Sequence, residues 1–136
     1  PVNEAATPSD VPVVLQMAAP TCERTRTMLY FSDRDVSFSP LVDVGVDLVV
    51  EKTERCAATR LLIDPYSDVD EPTDANLKLA ADRAEAVRTA LRELFGDRPV
   101  QIDITEYGQL NTPRMTGYVE PYNRRLDVYV PAGLGR

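Results

Sequence analysis

The chain has 136 residues, 43% of them hydrophobic, which suits one domain around one core. Fifteen basic against 22 acidic residues leave a formal net charge of −7, which argues against nucleic acid and anionic lipid as partners while leaving room for a local basic pocket. Histidine and tryptophan are both absent, which removes histidine acid–base chemistry, Ser-His-Asp triads, histidine zinc sites and sugar stacking on tryptophan.

Residues 1–20 are rich in Pro, Ala, Ser and Thr, with four prolines by Pro20, and read as a flexible linker. Within it the mostly apolar stretch Val13 to Met17 is a candidate edge strand. The chain opens at Pro1 and not at methionine, as expected of a mature or truncated product with a leader or lipid anchor upstream. No apolar run approaches the roughly 18 residues of a membrane-spanning helix, so no direct membrane insertion of this segment is expected. Arg24 to Phe31 reads as a strand, with Met28, Tyr30 and Ser32 alternating against Leu29 and Phe31. Ser39-Pro40 has the pattern of a helix start, serine as the cap and proline at the first helical position. Over 41–56 two readings compete. Val42, Val44, Val46, Val49 and Val50 favour a strand, whereas the cap, the length and the charged tail Glu51-Lys52-Thr53-Glu54-Arg55 favour a helix.

Arg60 to Asp64 is a short buried strand, followed by a loop over 65–73 containing Pro65 and Pro72. Apolar residues then recur at helical spacing, Ala80, Ala84, Val87, Leu91 and Leu94, in a helix over 74–95 stopped by Gly96. Val100 to Thr105 alternates as a strand. Residues 107–122 form a loop long enough to be functional or mobile in a compact domain. Leu126, Val128 and Val130 alternate in a last strand. The two cysteines, Cys22 and Cys56, could be a disulfide, a buried thiol pair or exposed reactive groups.

The chemistry concentrates around the second helix. Asp68 lies in the preceding loop, Asn76 eight residues on near the helix start, and Arg83 fifteen residues after the carboxylate. An Asp and an Arg opposed beside a helix N-terminus suit a zwitterion: the guanidinium takes a carboxylate through two parallel N–H bonds, the Asp accepts from an ammonium, and the first-turn amides add positive potential. On spacing alone the pair reads equally as a structural ion pair. The carboxylates Asp64, Asp68, Asp70, Glu71 and Asp74 crowd one segment, but a glycosidase needs two acids opposed across a cleft, and a calcium loop needs alternating oxygen ligands and a glycine at the bend. Two prolines interrupt the segment and no glycine lies in it, so neither a catalytic residue nor a metal ligand is assigned.

Ser67-Asp68, Asn76, Leu79-Ala80 and Arg83-Ala84, taken in order, resemble the pattern of the OmpA C-terminal-like (OmpA/Pal/MotB) peptidoglycan-binding domain family. Leu29-Tyr30-Phe31 with Pro40, Glu106-Tyr107-Gly108, and Asn123-Arg124-Arg125-Leu126-Asp127-Val128 resemble further pieces of the same pattern. The resemblance covers residues 27 to 130. It implies that 41–56 is a helix and that the order is β-α-β-α-β-loop-β. The implied fold class is an α/β (α+β) two-layer sandwich, a mixed sheet of about four strands with helices on one face. Residues 23–132 would form the domain and 1–22 the flexible segment. Cys22, before the first strand, and Cys56, at the end of the helix running back alongside it, would be close enough to bond. That pairing fits an oxidising envelope compartment.

The function implied is non-covalent binding of peptidoglycan through the diaminopimelate of the stem peptide, anchoring an envelope protein to the wall of a Gram-negative cell. No enzyme activity and no cofactor are implied. The location would be periplasmic, with a tether to the outer membrane or an envelope complex through a part outside this chain; other envelope proteins are possible partners. Asp68 would take the ammonium and Arg83 the carboxylate. Asn76 would line the rim, Ser67 would contact the ligand and keeps the hydroxyl of the family's threonine, Leu79 and Ala80 would offer an apolar wall, and Phe31 and Ser32 would stand at the end of the first strand. Asn123, Arg124 and Arg125 would brace the pocket or reach a peptide carboxylate. The chain departs from the family at Pro65-Tyr66, where Gly-His is common, at Glu71, where a glycine is usual, at Ala80, where serine is usual, and at Ser32, often Asp or Asn. Asp70 and Glu71 would repel a peptide carboxylate and favour its amine. An interaction module that keeps the fold with an altered pocket is the alternative.

Overall fold

A computed structural model describes residues 21–66, 74–105 and 124–134. In chain order its elements are β1 (Thr21–Cys22), β2 (Thr25–Tyr30), α1 (Pro40–Arg55), β3 (Arg60–Pro65), α2 (Asp74–Phe95), β4 (Gln101–Ile104), β5 (Arg125–Val130) and β6 (Gly133–Leu134). Four strands make one mixed sheet in the order β2-β5-β3-β4. β5 runs antiparallel to both β2 and β3, and β3 and β4 are parallel. α1 packs over β2 and β5, α2 over β3 and β5, and the helices touch each other. This is the expected α+β sandwich, with the last strand inserted between the first and second of the core.

Helix wins over strand in 40–55 because the start is capped. The Ser39 hydroxyl accepts from the Val42 amide, Pro40 occupies the first turn, and Val42, Gly45, Val46, Val49 and Thr53 recur at helical spacing on the buried face. Gly45 lets α1 lie close on β2: a Cβ there would run into the Leu29 side chain. α2 buries Ala80, Arg83, Ala84, Val87, Leu91 and Phe95. The apolar period therefore closes on Phe95 and not on Leu94, which is 46% exposed; the helical repeat of 3.6 residues turns position 94 off the sheet. Gly96 ends the helix at φ 60°, the left-handed conformation glycine adopts without penalty. The last strand pair of the parallel ladder is Ile63 with Ile104, so β4 is one residue shorter at each end than the sequence pattern suggests.

Alternation in the sheet separates two faces. Leu29, Leu61, Ile63, Ile102, Leu126, Val128 and Val130 join the helix residues in one core. The intervening positions of β5, Arg125, Asp127 and Tyr129, are also buried, at 2%, 0% and 4% exposure, on the face away from the helices. The candidate strand at Val13 to Met17 and the loop at 107–122 lie outside the described residues. A short ladder of β1 with β6 pairs Thr21 with Leu134 and Cys22 with Gly133, which takes in residues just beyond both ends of the expected 23–132 unit.

Cys22 and Cys56 form a disulfide, closing 34 residues of chain and tying β1 to the C-terminus of α1. In the chain-entropy account a loop of that size stabilises the fold by about 4 kcal/mol. Reduction should lower the urea unfolding free energy by about that amount, measured with and without reductant. Equal curves would show that the bond adds nothing to stability.

Candidate functional site

The C-terminal ends of β2 and β3, the start of β5 and the first half of α2 meet at one end of the sheet, opposite the disulfide. Arg83 lies there, on the sheet-facing side of α2, and is 1% exposed. A guanidinium cannot be buried without partners, and three are in place. Its Nε donates to the Asp35 carbonyl at 2.8 Å, one terminal nitrogen donates to the Ser32 carbonyl at 3.0 Å, and the group lies 5.2 Å from the centre of the Phe31 ring. The Phe31 ring, itself 6% exposed, meets Phe38 edge-on at 6.1 Å.

The segment after β2 is wrapped around this cation. The Asp35 amide donates back to the Ser32 carbonyl, Arg34 between them has φ 56°, and the Asp35 carboxylate accepts from both the amide and the hydroxyl of Ser37. Those two bonds from Ser37 hold the Asp35 carboxyl below its ordinary value. The Phe31 amide donates to the Arg124 carbonyl at 2.8 Å, so β5 enters the sheet beside the turn. The Arg124 side chain reaches within 3.8 Å of the exposed Asp33 carboxylate.

The residues expected at the site divide accordingly. Arg83, Phe31, Ser32 and Arg124 are brought together at this end. Ala80 lies one turn before Arg83 on the same buried side, 2% exposed, with Asn76 and Leu79 half-buried in the first turns of α2. Ser67, Asp68 and Asn123 lie outside the described residues. Arg125 is not brought to Arg83: it points to the opposite face of the sheet, where its guanidinium lies 4.2 Å from the centre of the Tyr66 ring and its Nε donates to Asp127 at 3.1 Å.

That second face holds a polar cluster which the sequence pattern did not disclose. Asp64 and Asp127 are direct partners across β3 and β5, both 0% exposed, and Asp64 accepts from the Thr105 hydroxyl at 2.7 Å. Burial raises the Asp127 carboxyl above its ordinary value, against the pull of Arg125 and Arg26, and pushes the Tyr66 phenol up to about 12. The one available hint was Asp127 standing among Leu126, Val128 and Val130, where the acid reads more simply as solvent-facing. The organising role of Asp35 was also missed; the Asp-x-Ser spacing of Asp35 and Ser37 is its local mark.

Among the described residues no group of three or more acidic or cysteine side chains could hold a metal ion. No described helix is long and apolar enough to cross a membrane.

No family model matches the chain, and no curated protein matches it. Solved structures do. The OmpA-like domain of FopA1 from Francisella tularensis superimposes with a TM-score of 0.67 at 17% identity, over 83% of this chain and 77% of that one. The cell wall anchor of the type VI secretion system from Pseudomonas aeruginosa gives 0.56 at 16% identity, over 90% and 93%. The peptidoglycan-associated lipoprotein from Burkholderia pseudomallei gives 0.55 at 23% identity, over 76% and 89%. The fold of this chain is that of the OmpA/Pal/MotB-like domains.

The buried acid on the second face sets a pH dependence. A carboxyl whose value is raised by folding holds its proton better in the folded state, so its contribution is full below the ordinary aspartate range and is lost as pH rises through the raised value. Asparagine mimics the protonated acid. The stability of Asp127→Asn relative to wild type should therefore shift in the variant's favour between about pH 4 and about pH 8, as read from urea unfolding. A constant difference would show that Asp127 titrates as it does in the unfolded chain.

Proposed function

We propose that this domain binds peptidoglycan non-covalently, gripping the diaminopimelate of the stem peptide, and so anchors an envelope protein or complex to the cell wall. The observation that supports this most directly is Arg83, a cation fixed at the end of the sheet on the helix that follows the Asp68 loop. The domain's neighbours in fold include the type VI secretion cell wall anchor and the peptidoglycan-associated lipoprotein.

The side chain of diaminopimelate ends in an ammonium and a carboxylate on one carbon. Arg83 would offer N–H groups to the carboxylate and Asp68 an acceptor to the ammonium, with Asn76 and Ser67 at the rim and Arg124 near the peptide. Each charge-assisted bond of this kind contributes about 1.5–3 kcal/mol. One domain then binds modestly, and display of many copies on a continuous wall raises the effective concentration. The domain holds and carries out no chemistry. Its setting would be the periplasm, tethered to the outer membrane or to an envelope complex, with neither nucleic acid nor lipid as ligand.

One observation favours a second reading, an interaction module whose wall-binding pocket is altered. Two of the Arg83 donors are already spent on the Ser32 and Asp35 carbonyls, which is also what a purely structural arginine would do. Asp70 and Glu71 beside Asp68 also add negative charge to the sequence relative to the family pattern.

Co-sedimentation with purified diaminopimelate-type peptidoglycan separates the two. Wild type should pellet, and Asp68→Ala and Arg83→Lys should weaken pelleting about tenfold or more with circular dichroism unchanged. Folded wild type that stays in the supernatant would overturn wall binding and turn the search to a protein partner.

A further inference from the structure

We propose that the cleft between α1 and α2 is a docking site for a basic amphipathic helix of a partner protein. The proposal goes beyond wall binding and does not rest on it: the cleft holds neither Arg83 nor any residue offered above to diaminopimelate.

The cleft encloses about 340 Å³. Its floor is apolar, made of Phe38, Val46 and Ala90, with Leu94 beside them. Phe38 and Ala90 also pack against the core, and the small side chain at 90 leaves the space between the helices open. Leu94 is 46% exposed, an apolar side chain that the fold leaves in water. The rim is acidic: Asp43 and Asp47 stand on α1 and Glu93 on α2, all three exposed.

These acids are not explained by the stability of the helices. Asp43 and Asp47 are one turn apart, where like charges repel. Asp47 is interior to α1, and aspartate is among the poorer helix formers there. Glu93 lies in the last turn of α2, against the negative end of the helix dipole. Only Asp43, in the first turn of α1, stands where the dipole favours an acid. Among the described residues none of the three carboxylates has an ion pair. Elsewhere on the same two helices the chain supplies the cation itself. Arg98 pairs with Glu54 of α1 while donating to the Leu94 and Phe95 carbonyls of α2. The cleft repeats that demand with no cation of its own.

The charge of the rim selects the occupant. Residues 1–20 carry Glu4 and Asp10 and neither lysine nor arginine, so the rim would repel the chain's own leading segment. A second copy brings another net charge of −7, which opposes self-association. A helix laid between two helices places apolar side chains at i, i+3 or i+4, and i+7 on the floor. Lysine or arginine at its flanks then meets the acids on both walls.

The probe is a synthetic helical peptide with leucine along one face and lysine on the other; its counterpart carries glutamate in place of lysine. In amide NMR titrations of the intact chain, the lysine peptide should shift the resonances of Asp43, Asp47, Ala90 and Leu94, and the glutamate peptide should shift none of them. Asp47→Asn combined with Glu93→Gln should weaken binding about tenfold, and Leu94→Ala should weaken it as well. Glu23→Gln combined with Asp82→Asn removes the same charge away from the cleft and should leave the affinity unchanged. The melting temperature of the Asp47→Asn, Glu93→Gln protein should equal or exceed that of wild type, since both acids oppose their helices. A lowered melting temperature would make them structural and overturn the proposal. Equal weakening by the two double variants would show diffuse attraction to an acidic chain, and overturns it too. Wild type that sediments as a dimer, with Leu94→Ala monomeric, gives the cleft to a second copy and overturns the assigned partner.

Discussion

A buried guanidinium is among the most demanding groups a fold can accommodate, and much of one end of this domain is arranged to accommodate Arg83. The turn after β2 supplies two carbonyls, Phe31 supplies a ring, and a left-handed Arg34 bends the chain so that both carbonyls point inward. Leaving that cation without partners would cost several kcal/mol, so turn and helix specify each other. The result couples α2 to β2, which are far apart in sequence.

The sheet separates two kinds of interior. Under the helices lies an apolar core in which Leu126, Val128 and Val130 meet Val46, Val49, Val87 and Leu91. On the other side β5 and β3, with the residue that follows β3, present Arg125, Asp127, Asp64 and Tyr66, all buried. Apolar packing tolerates small adjustments, whereas hydrogen-bonded ion pairs impose direction and distance. The apolar side therefore holds the sheet and helices together, and the polar side adds direction to the pairing of β3 with β5. Since β5 contributes to both through alternate residues, a shift of its register by one would exchange the two sets and destroy both.

The element order and both helices were legible because their local chemistry is explicit: Ser39-Pro40 at one helix start, Gly96 at one helix end, and alternation in the strands. The valine-rich stretch of α1 was ambiguous on propensity and was resolved by its cap and by the family pattern. Leu94 was misjudged as core because Leu94 and Phe95 are adjacent apolar residues, and only the helix phase chooses between them. Arg83 stood out in the sequence through its spacing from Asp68 and Asn76, and it is buried at the end of the sheet. Its carbonyl partners did not stand out, since a backbone acceptor has no sequence signature. Arg124 and Arg125 were expected together at the pocket, but Arg124 lies beside Asp33 and Arg125 against Tyr66 on the other face of the sheet. Which of them faces the site depends on the register of β5 against β2, and pairing register is a tertiary property.

The disulfide lies at the end of the sheet farthest from Arg83, where β1 enters and α1 leaves. Seen as a mechanical element, it makes two load paths out of one. Tension entering at Thr21 divides at Cys22, part passing along β2 and part crossing directly into the C-terminal end of α1. Among the described residues β2 is an outer strand of the four-stranded sheet, paired within it to β5, and a strand so placed would otherwise peel away one hydrogen bond at a time. With the covalent clip in place, a pull must shear α1 and β2 together against the rest of the domain. Reduced protein could keep its shape at rest and still yield much sooner under force.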